Sequence, residues 1–313
     1  MSGASSSVQV VVSLDVEEDG LGCGRYPRSP SGVANVAALE RLEFVDREFG
    51  IPLTLLATYP VIMDDGALAH LLRWRDRRGA EIGAHLHPWN TPPFPDDGRE
   101  YGGNPTPLDS EKIRVLRAAI ERRTGRAPVS FRMGRFAVGE KLFDDVQRAG
   151  FLREASIVPF HASSGGLPAY GVAPDPYCLR GAADPSAALW EIPLTNLPVW
   201  PRAGRWMAAA TAGARRPWQR TLQRAFQRIG VAGTHPAWFS LPAMCAAARL
   251  HVARGGRVIQ VFMHSSELMP GCTPAFPTER SVRRQVDRLA AFLRWLQKRY
   301  SVAGATLGAL RPD

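Results

Sequence analysis

The chain lacks several features that would assign it to a class at once. No run approaches the roughly 18 consecutive apolar residues of a membrane-spanning helix. The four cysteines form no Cys-x-x-Cys pair, which argues against a zinc ribbon or a disulfide framework and fits a reducing compartment. No basic segment followed by a long apolar one opens the chain, so we expect no signal peptide and a cytoplasmic location.

Acidic residues are in the minority, with 29 Asp and Glu against 39 Lys and Arg, and the formal net charge is +10. Such an excess can indicate a nucleic acid, an anionic membrane surface or a substrate that carries phosphate. It also arises from an arginine-rich composition without any single partner. Charge is the only sign of nucleic acid, so we expect no nucleic-acid partner.

Short apolar runs alternate with amphipathic stretches, from a buried strand predicted at Val8–Leu14 to a last strand near Ser301–Ala305. Helices are predicted between them, for example over Val33–Phe49. About seven or eight β/α repeats indicate a parallel sheet, either a barrel or an open sheet. No Gly-x-Gly-x-x-Gly follows the first strand, which counts against a dinucleotide-binding fold. We predict one α/β domain over residues 8–313, after a flexible N-terminus at residues 1–7.

A barrel is favoured over an open sheet because the unusual polar residues follow strands, where a β/α barrel carries its active site. Those residues are Asp15, Glu17, His85, His87, Arg132, Glu191 and His264. Two segments rich in Pro and Gly, Thr91–Pro107 and Pro159–Ser186, interrupt the alternation. We predict that both are long loops that wall the active-site face.

A basic segment at about 200–236 is predicted as a helical insertion. Within it Trp218, Leu222, Phe226 and Ile229 lie four, four and three residues apart, which indicates an amphipathic helix over Pro217–Ile229. In one interpretation this apolar stripe packs on the barrel and leaves a solvated arginine face. In the other, the arginines bind a phosphate-bearing or lipid-linked substrate, or contact an anionic membrane surface.

Two histidines one residue apart, His85 and His87, are the most informative pair in the sequence. Residues two apart in a strand project to the same face, so both imidazoles can reach one point in space. Imidazole is the commonest metal-donor side chain, and catalytic zinc sites take three protein ligands and keep one position open. The pair therefore indicates a metal site.

Five segments, in this order, resemble the polysaccharide deacetylase family with the NodB-homology fold, and more closely its intracellular, WalW-like branch. They are Ser13–Asp19, Glu81–Pro88, Ser130–Phe136, Glu191–Leu194 and Phe262–Ser266. The resemblance spans about Val8 to Ala305. It implies a distorted (β/α)7–8 barrel and the removal of an acetyl group from an amino sugar in a glycan or a glycan precursor.

The sequence departs from the family pattern at three places. The family has adjacent aspartates in its first motif, whereas Val16 separates Asp15 from Glu17 here. The family's second metal histidine lies four residues after the first, where this chain has Trp89, so His87 is the available substitute. The Pro and Tyr that follow the motif arginine are Gly134 and Arg135.

The residues nevertheless predict a coherent hydrolytic site. Glu17, His85 and His87 would hold one divalent ion, most simply zinc, although cobalt and nickel accept the same donors. Such an ion lowers the pKa of a bound water and polarises a carbonyl. Asp15 would act as the general base.

Four further residues complete the predicted site. His264 would act as the general acid, and Arg132 would keep Asp15 ionised and oriented. Glu267 and Trp89 are expected to contact the substrate. Glu191 would either hold His264 or bind a substrate hydroxyl.

Two other functions remain open. The His-x-His pair also resembles the metal-dependent amidohydrolases, but their pair belongs to the first strand, and here the first strand carries acids. A carbohydrate-binding protein that kept the barrel and lost turnover is the second. Acetate release from an acetylated amino sugar, with and without metal, would separate it from a deacetylase.

Overall fold

A curled sheet of mostly parallel strands organises the molecule. The computed structural model describes residues 7–21, 26–30, 32–98, 106–160, 169, 172, 174–180, 188–211 and 217–310. The strands are β1 (Ser7–Val16), β2 (Leu53–Ala57), β3 (Glu81–Leu86), β4 (Ser130–Met133), β5 (Arg153–Glu154), β6 (Tyr177–Arg180), β7 (Leu189–Glu191), β8 (Asn196–Pro198), β9 (Val231–Gly233), β10 (Val258–His264) and β11 (Ser301–Gly304).

The main sheet runs in the order β10-β1-β2-β3-β4-β5-β7-β6, with β11 paired to β1. Only β6 is antiparallel to its neighbour, and β8 and β9 form a separate antiparallel pair. The segment after β7 lies beside β10, where the Gln260 amide donates to the Thr195 hydroxyl at 2.8 Å. The curled, half-barrel sheet confirms the predicted distorted barrel of mixed α/β type.

Helices connect the strands and cover the outside of the sheet. They are α1 (Glu43–Phe49), α2 (Tyr59–Met63), α3 (Asp65–Arg78), α4 (Asp109–Thr124), α5 (Glu140–Arg148), α6 (Ala203–Thr211), α7 (Pro217–Ile229), α8 (Leu241–Ala253) and α9 (Glu279–Arg299). The helix predicted over Val33–Phe49 is 3-10 over Ala34–Leu42 before α1 begins. It starts where the Asp19 carboxylate accepts from the amides of Ala34 and Asn35.

Alternation along the parallel strands separates the core from the site. In β1 the residues Val10, Val12 and Leu14 belong to the main core cluster with the covering helices. Val11 belongs to a second, smaller cluster, and Ser13 and Asp15 follow it on the same face of the strand. Both faces are buried, as expected for strands in a parallel sheet covered by helices. The inner face therefore carries the polar residues into a closed space.

The predicted loops hold only in part. Residues 91–98 contain neither helix nor strand, and 99–105 lie outside the described residues. The prediction of a continuous loop over Pro159–Ser186 is wrong at Tyr177–Arg180, because these residues form β6 on β7. The described ranges include no helix that is long and apolar enough to cross a membrane.

Helices α6 and α7 occupy the basic segment, but the apolar stripe of α7 is mostly not buried against the barrel. Of its four residues only Phe226 is buried, packed with Phe160, Ala203 and Met207. Trp218, Leu222 and Ile229 are 51%, 38% and 75% exposed. The first interpretation of this helix is therefore wrong for three of its four apolar residues.

A different face of α7 is buried. Gln219 and Phe226, seven residues apart, form that face, and they lie about a quarter turn around the helix from Trp218, Leu222 and Ile229. The side-chain amide of Gln219 donates to the Ala210 carbonyl of α6 at 3.4 Å, so this buried amide has the partner that it needs. With Gln219 and Phe226 toward α6, the other three apolar residues face outward.

Lys112 on α4 fixes the loop that follows β3. Its amine is buried and donates to the carbonyls of Thr91 and Pro93. Lys112→Met should lower the free energy of unfolding by about 1 to 3 kcal/mol, because two carbonyls lose their donor. Denaturant unfolding measures the change. Arg114→Met, at an exposed position of the same helix, is the control, and an equal effect of both would contradict the assignment.

Candidate active site

The carboxyl ends of β1, β3, β4 and β10 bring the site residues together. Asp15 of β1 is paired in register with His264 of β10, and His85 of β3 with Arg132 of β4. Because these strands are parallel, the side chains that follow them meet at one edge of the sheet. Asp15, Glu17, His85, His87, Trp89, His264 and Glu267 all line one cavity there, of about 270 Å³.

Asp15 forms a buried ion pair with Arg132. Its Oδ1 accepts from the Arg132 Nη1 at 2.7 Å, and its Oδ2 lies 3.4 Å from the His85 Nε2. Burial acts to raise the pKa of Asp15, but the neighbouring His85, Arg132 and His264 outweigh it and lower that pKa. Asp15 is therefore held ionised although it is buried.

Arg132 is fully buried, and several contacts fix its orientation. Its Nε donates to the Ala155 carbonyl at 2.7 Å, and its Nη2 donates to the Ser13 hydroxyl at 2.9 Å. The guanidinium also stands 4.8 Å from the centre of the Phe262 ring. These contacts leave the remaining nitrogen directed at Asp15, which is the arrangement predicted from the sequence.

Glu17, His85 and His87 form a group whose potential ligand atoms lie within 4.8 Å of one another. The Nδ1 of His85 donates to the Arg132 carbonyl at 3.1 Å, and that of His87 donates to Glu18 at 2.9 Å. With both Nδ1 atoms engaged, both Nε2 atoms are available as metal donors. Burial lowers the pKa of His85 to about 3, so its imidazole is neutral, as a ligand must be.

Glu17 supplies the acidic donor of this group. Its Oε2 lies 3.6 Å from the His87 Nε2, and its Oε1 accepts from the Ser266 hydroxyl at 3.0 Å. Burial raises its pKa to about 7, since His264 and His87 offset only part of the desolvation. A buried carboxylate beside two imidazole nitrogens is the donor set that zinc prefers, so the residues fit a divalent cation.

Glu18 was missed as a functional residue in the sequence. Its Oε1 accepts from the His87 Nδ1 and the Asn90 amide, and from the Trp89 indole at 3.1 Å. Burial acts to raise the pKa of Glu18, but the bonds from His87 and Trp89 lower it to about 2. A carboxylate behind a ligating imidazole fixes its ring and tautomer. The signal was local, since Glu18 follows Glu17 directly.

His264 and Glu267 form a second pair on the opposite wall. The His264 Nδ1 donates to the Glu267 Oε1 at 3.0 Å, which directs its Nε2 toward the cavity. Burial acts to lower the pKa of His264, but Glu17 and Glu267 raise it to about 10. Glu267 was predicted as a substrate contact; the structure places it in the cavity wall and also behind His264.

His235, in the loop after β9, lies beside this pair. It was also missed as a functional residue in the sequence. Its Nδ1 accepts from the Ala237 amide at 3.0 Å, and its Nε2 lies 3.5 Å from the Glu267 Oε1. The ring stacks on Trp238 with the centroids 4.1 Å apart. Burial lowers the pKa of His235 to about 4, so the ring is neutral. No spacing in the sequence links it to His264.

The tautomer of His235 argues against a second metal site. His235, His264 and Glu267 also have donor atoms within 4.8 Å of one another. Because the Ala237 amide occupies the Nδ1 lone pair, the proton of the neutral ring lies on Nε2. A protonated nitrogen cannot coordinate a cation; this one lies 3.5 Å from the Glu267 Oε1.

The predicted substrate residues have different surroundings. Trp89 lines the cavity and stacks on the His87 ring at a centroid distance of 4.0 Å. Glu191 lies in the sheet, where its Oε1 accepts from the Ile157 amide at 3.0 Å. Burial and the neighbouring Glu154 raise the pKa of Glu191. The residue that bonds to the Nδ1 of His264 is Glu267, and a substrate contact by Glu191 stays a prediction.

Comparisons with known proteins show the fold. No family model and no curated protein matches the sequence. A solved structure of a candidate polysaccharide deacetylase from Mycobacterium smegmatis matches with a TM-score of 0.55 and 16% identity, over 98% of this chain and 90% of that one. A 4-alpha-glucanotransferase from Thermococcus litoralis matches with a TM-score of 0.50 and 11% identity, over 98% and 41%. Proteins of different activity thus share this fold, and function must be inferred from the site.

The group of Glu17, His85 and His87 predicts stoichiometric zinc binding that depends on Glu18. His85→Ala and His87→Ala should abolish it. Glu18→Gln should weaken it by about 10- to 100-fold, because the carboxylate behind His87 is lost. Zinc titration against a competing chelator measures the affinity.

Glu267→Gln is the matched control, a buried carboxyl in the same cavity that contacts no proposed ligand in the group. Its zinc affinity should be unchanged. Retained zinc in His87→Ala, or equal losses in the two glutamine variants, would show that the ligand set is wrong.

Proposed function

We propose that the protein is a metal-dependent hydrolase that removes the N-acetyl group of an amino sugar, in a glycan or a glycan precursor. Within the polysaccharide deacetylases we place it in the intracellular, WalW-like branch. One observation carries the reaction: an ionised carboxylate, Asp15, lies between a group of metal donors and a histidine whose Nε2 faces the same cavity. These are the base, the cation site and the acid that amide hydrolysis requires.

Glu17, His85 and His87 would hold the ion, for which zinc is the first choice and cobalt or nickel the alternatives. When bound there, the ion would polarise the amide carbonyl and make a water more acidic. The chain fixes the donors in advance through Glu18 behind His87 and the Arg132 carbonyl behind His85. The donors therefore need little rearrangement on binding.

Asp15 acts as the general base. Arg132 occupies its Oδ1, so its Oδ2 is the oxygen left to accept a proton from the attacking water. The water oxygen forms a bond to the acetyl carbon as that proton leaves. Because Arg132 keeps Asp15 ionised, the base is ready at neutral pH.

His264 acts as the general acid. Glu267 accepts from its Nδ1, which leaves the Nε2 proton for the sugar nitrogen. The carbon–nitrogen bond breaks as that proton is transferred, and the products are acetate and a free amine. The acid and the base are register partners on adjacent strands and line the same cavity, so one bound amide can reach both.

The residues that line the cavity favour a sugar as the substrate, and one of them favours a substrate that carries negative charge. Tyr26 and Trp89 line it together, 4.8 Å apart, and aromatic rings pack against the apolar faces of sugars. Arg135 lines the same cavity and stands over the Tyr26 ring. A guanidinium binds phosphate oxygens in pairs, so we include a phosphate-bearing or lipid-linked sugar in the substrate class.

Loss of the base or the acid should reduce turnover without removing the metal. Asp15→Asn and His264→Ala should each lower kcat by at least about 100-fold in acetate release from an acetylated amino sugar. Zinc content should stay stoichiometric in both. His70→Ala, on α3, is the control and should match the unchanged protein. Loss of zinc from Asp15→Asn would make Asp15 a ligand, and full activity in His264→Ala would remove it from the reaction.

We also propose that His235 positions the acid through Glu267. Its Nε2 lies 3.5 Å from the Glu267 oxygen that accepts from His264, and Trp238 and Phe262 contact its ring. The 3.5 Å separation is longer than a normal hydrogen bond, and a small movement of Glu267 toward His235 would close it. Glu267 would then be held from two sides.

Two substitutions distinguish the effect of the hydrogen-bond donor of His235 from the effect of its stacked ring. His235→Phe keeps a ring between Trp238 and Phe262 and removes the donor, so kcat should fall by about 3- to 10-fold, the effect of about one hydrogen bond, with KM unchanged. His235→Gln loses the ring but can donate, and should recover part of kcat. Thermal unfolding is measured in parallel. If kcat follows stability in both variants, or glutamine restores nothing, His235 has only a packing role.

A further inference from the structure

The net positive charge of the protein arises from one segment. Between Glu191 and Glu267 the sequence contains no Asp or Glu, and the rest of the chain has 29 acidic and 29 basic residues. The formal charge of +10 therefore belongs to this segment, which includes the insertion of α6 and α7. The segment has ten arginines and no lysine: Arg202, Arg205, Arg215, Arg216, Arg220, Arg224, Arg228, Arg249, Arg254 and Arg257.

The same insertion exposes most of the large apolar side chains that the structure leaves in solvent. The outer stripe of α7, consisting of Trp218, Leu222 and Ile229, repeats with helical spacing and faces outward. Trp200, just before α6, and Trp206, within it, are 57% and 69% exposed. Apolar side chains grouped on a surface mark an interaction site, unlike single exposed ones.

Exposed arginines accompany these apolar residues. Arg202 and Arg205 of the α6 region and Arg228 of α7 are all exposed, and Arg205 precedes Trp206 directly. No acidic residue of the segment is available to neutralise them. The partner must therefore offer both negative charge and an apolar layer. Headgroups of an anionic bilayer, with the acyl region beneath, have that combination.

An anionic membrane fits better than a nucleic acid. Tryptophan can stack on bases, and arginine can bind a phosphate backbone. Leu222 and Ile229 have no flat face for stacking, yet they share the stripe with Trp218. Aliphatic side chains insert among acyl chains, whereas tryptophan prefers the headgroup level. The mixed composition of the stripe thus indicates a lipid interface.

We propose that α6 and α7 form a docking surface for an anionic lipid bilayer, with the outer stripe and Trp206 in the interface. An apolar groove of about 800 Å³, which Phe160, Ile229, Val231 and Trp238 help to line, opens beside the stripe. Trp238 is also the ring that stacks on His235 behind the proposed acid. Docking would therefore bring the proposed active site close to a lipid-linked sugar.

Vesicle sedimentation of the full chain tests the surface independently of any enzymatic activity. Vesicles contain either phosphatidylcholine alone or equal parts of phosphatidylcholine and phosphatidylglycerol. We expect binding to the anionic vesicles only, weakening as salt rises. Changing Trp206, Trp218 and Ile229 together to Ser should weaken it by at least about 10-fold. Changing Arg202, Arg205 and Arg228 together to Gln should do the same.

Matched variants elsewhere on the surface act as controls. Met63→Ser removes an exposed apolar side chain of α2, and changing Arg77, Arg148 and Arg299 together to Gln removes exposed charge from other helices. Both should bind as the unchanged protein does. Equal binding to both kinds of vesicle, equal losses in the control variants, or retention on a single-stranded oligonucleotide without any vesicle binding would overturn the proposal.

Discussion

Three carboxylates buried at the end of one strand are the constraint on which the site depends. Asp15, Glu17 and Glu18 are each less than a tenth exposed, and an ionised carboxylate cannot be buried without a partner. Asp15 has Arg132, and Glu18 has the donors of His87, Trp89 and Asn90. Glu17 accepts from the Ser266 hydroxyl and lies 3.6 Å from the His87 Nε2, and among the described residues no arginine or lysine forms an ion pair with it.

The raised pKa of Glu17 is a consequence of its burial and of this lack of a cationic partner. Without a cation the group tends toward the neutral acid, whereas a divalent ion beside it would restore the charge. The same ion would occupy the Nε2 atoms of both histidines. Binding of a divalent ion would therefore compensate for the burial of this carboxylate.

The departures from the polysaccharide deacetylase pattern that the sequence resembles are compatible with the proposed chemistry. Val16 separates Asp15 from Glu17, but residues two apart in β1 share its inner face, so both acids reach the cavity. His85 and His87 do the same on β3. Trp89 stands where the family has a histidine, and here its indole bonds to Glu18 and stacks on His87. Trp89 thus helps to hold the proposed ligand His87 and is not itself a ligand.

Much of the fold and the site could be predicted because period and strand ends are local signals. Alternation gives the inner face of β1, and Gly50 and Gly79 end α1 and α3 in the left-handed conformation. Partners could not be predicted, because they depend on which loops meet. Glu18 behind His87 and His235 behind Glu267 are examples, since 69 residues separate the first pair.

The sequence also could not predict which face of a helix is turned toward the protein. The apolar residues of α7 predict a stripe, but not the direction in which it faces, and the structure buries Gln219 and Phe226 while Trp218, Leu222 and Ile229 are exposed. A buried glutamine and three exposed large apolar residues depart from the usual rule for a surface helix. Such an inversion is unfavourable in water alone. It becomes favourable against a partner that is apolar in depth and anionic at its surface, and the charge of the segment favours the same kind of partner.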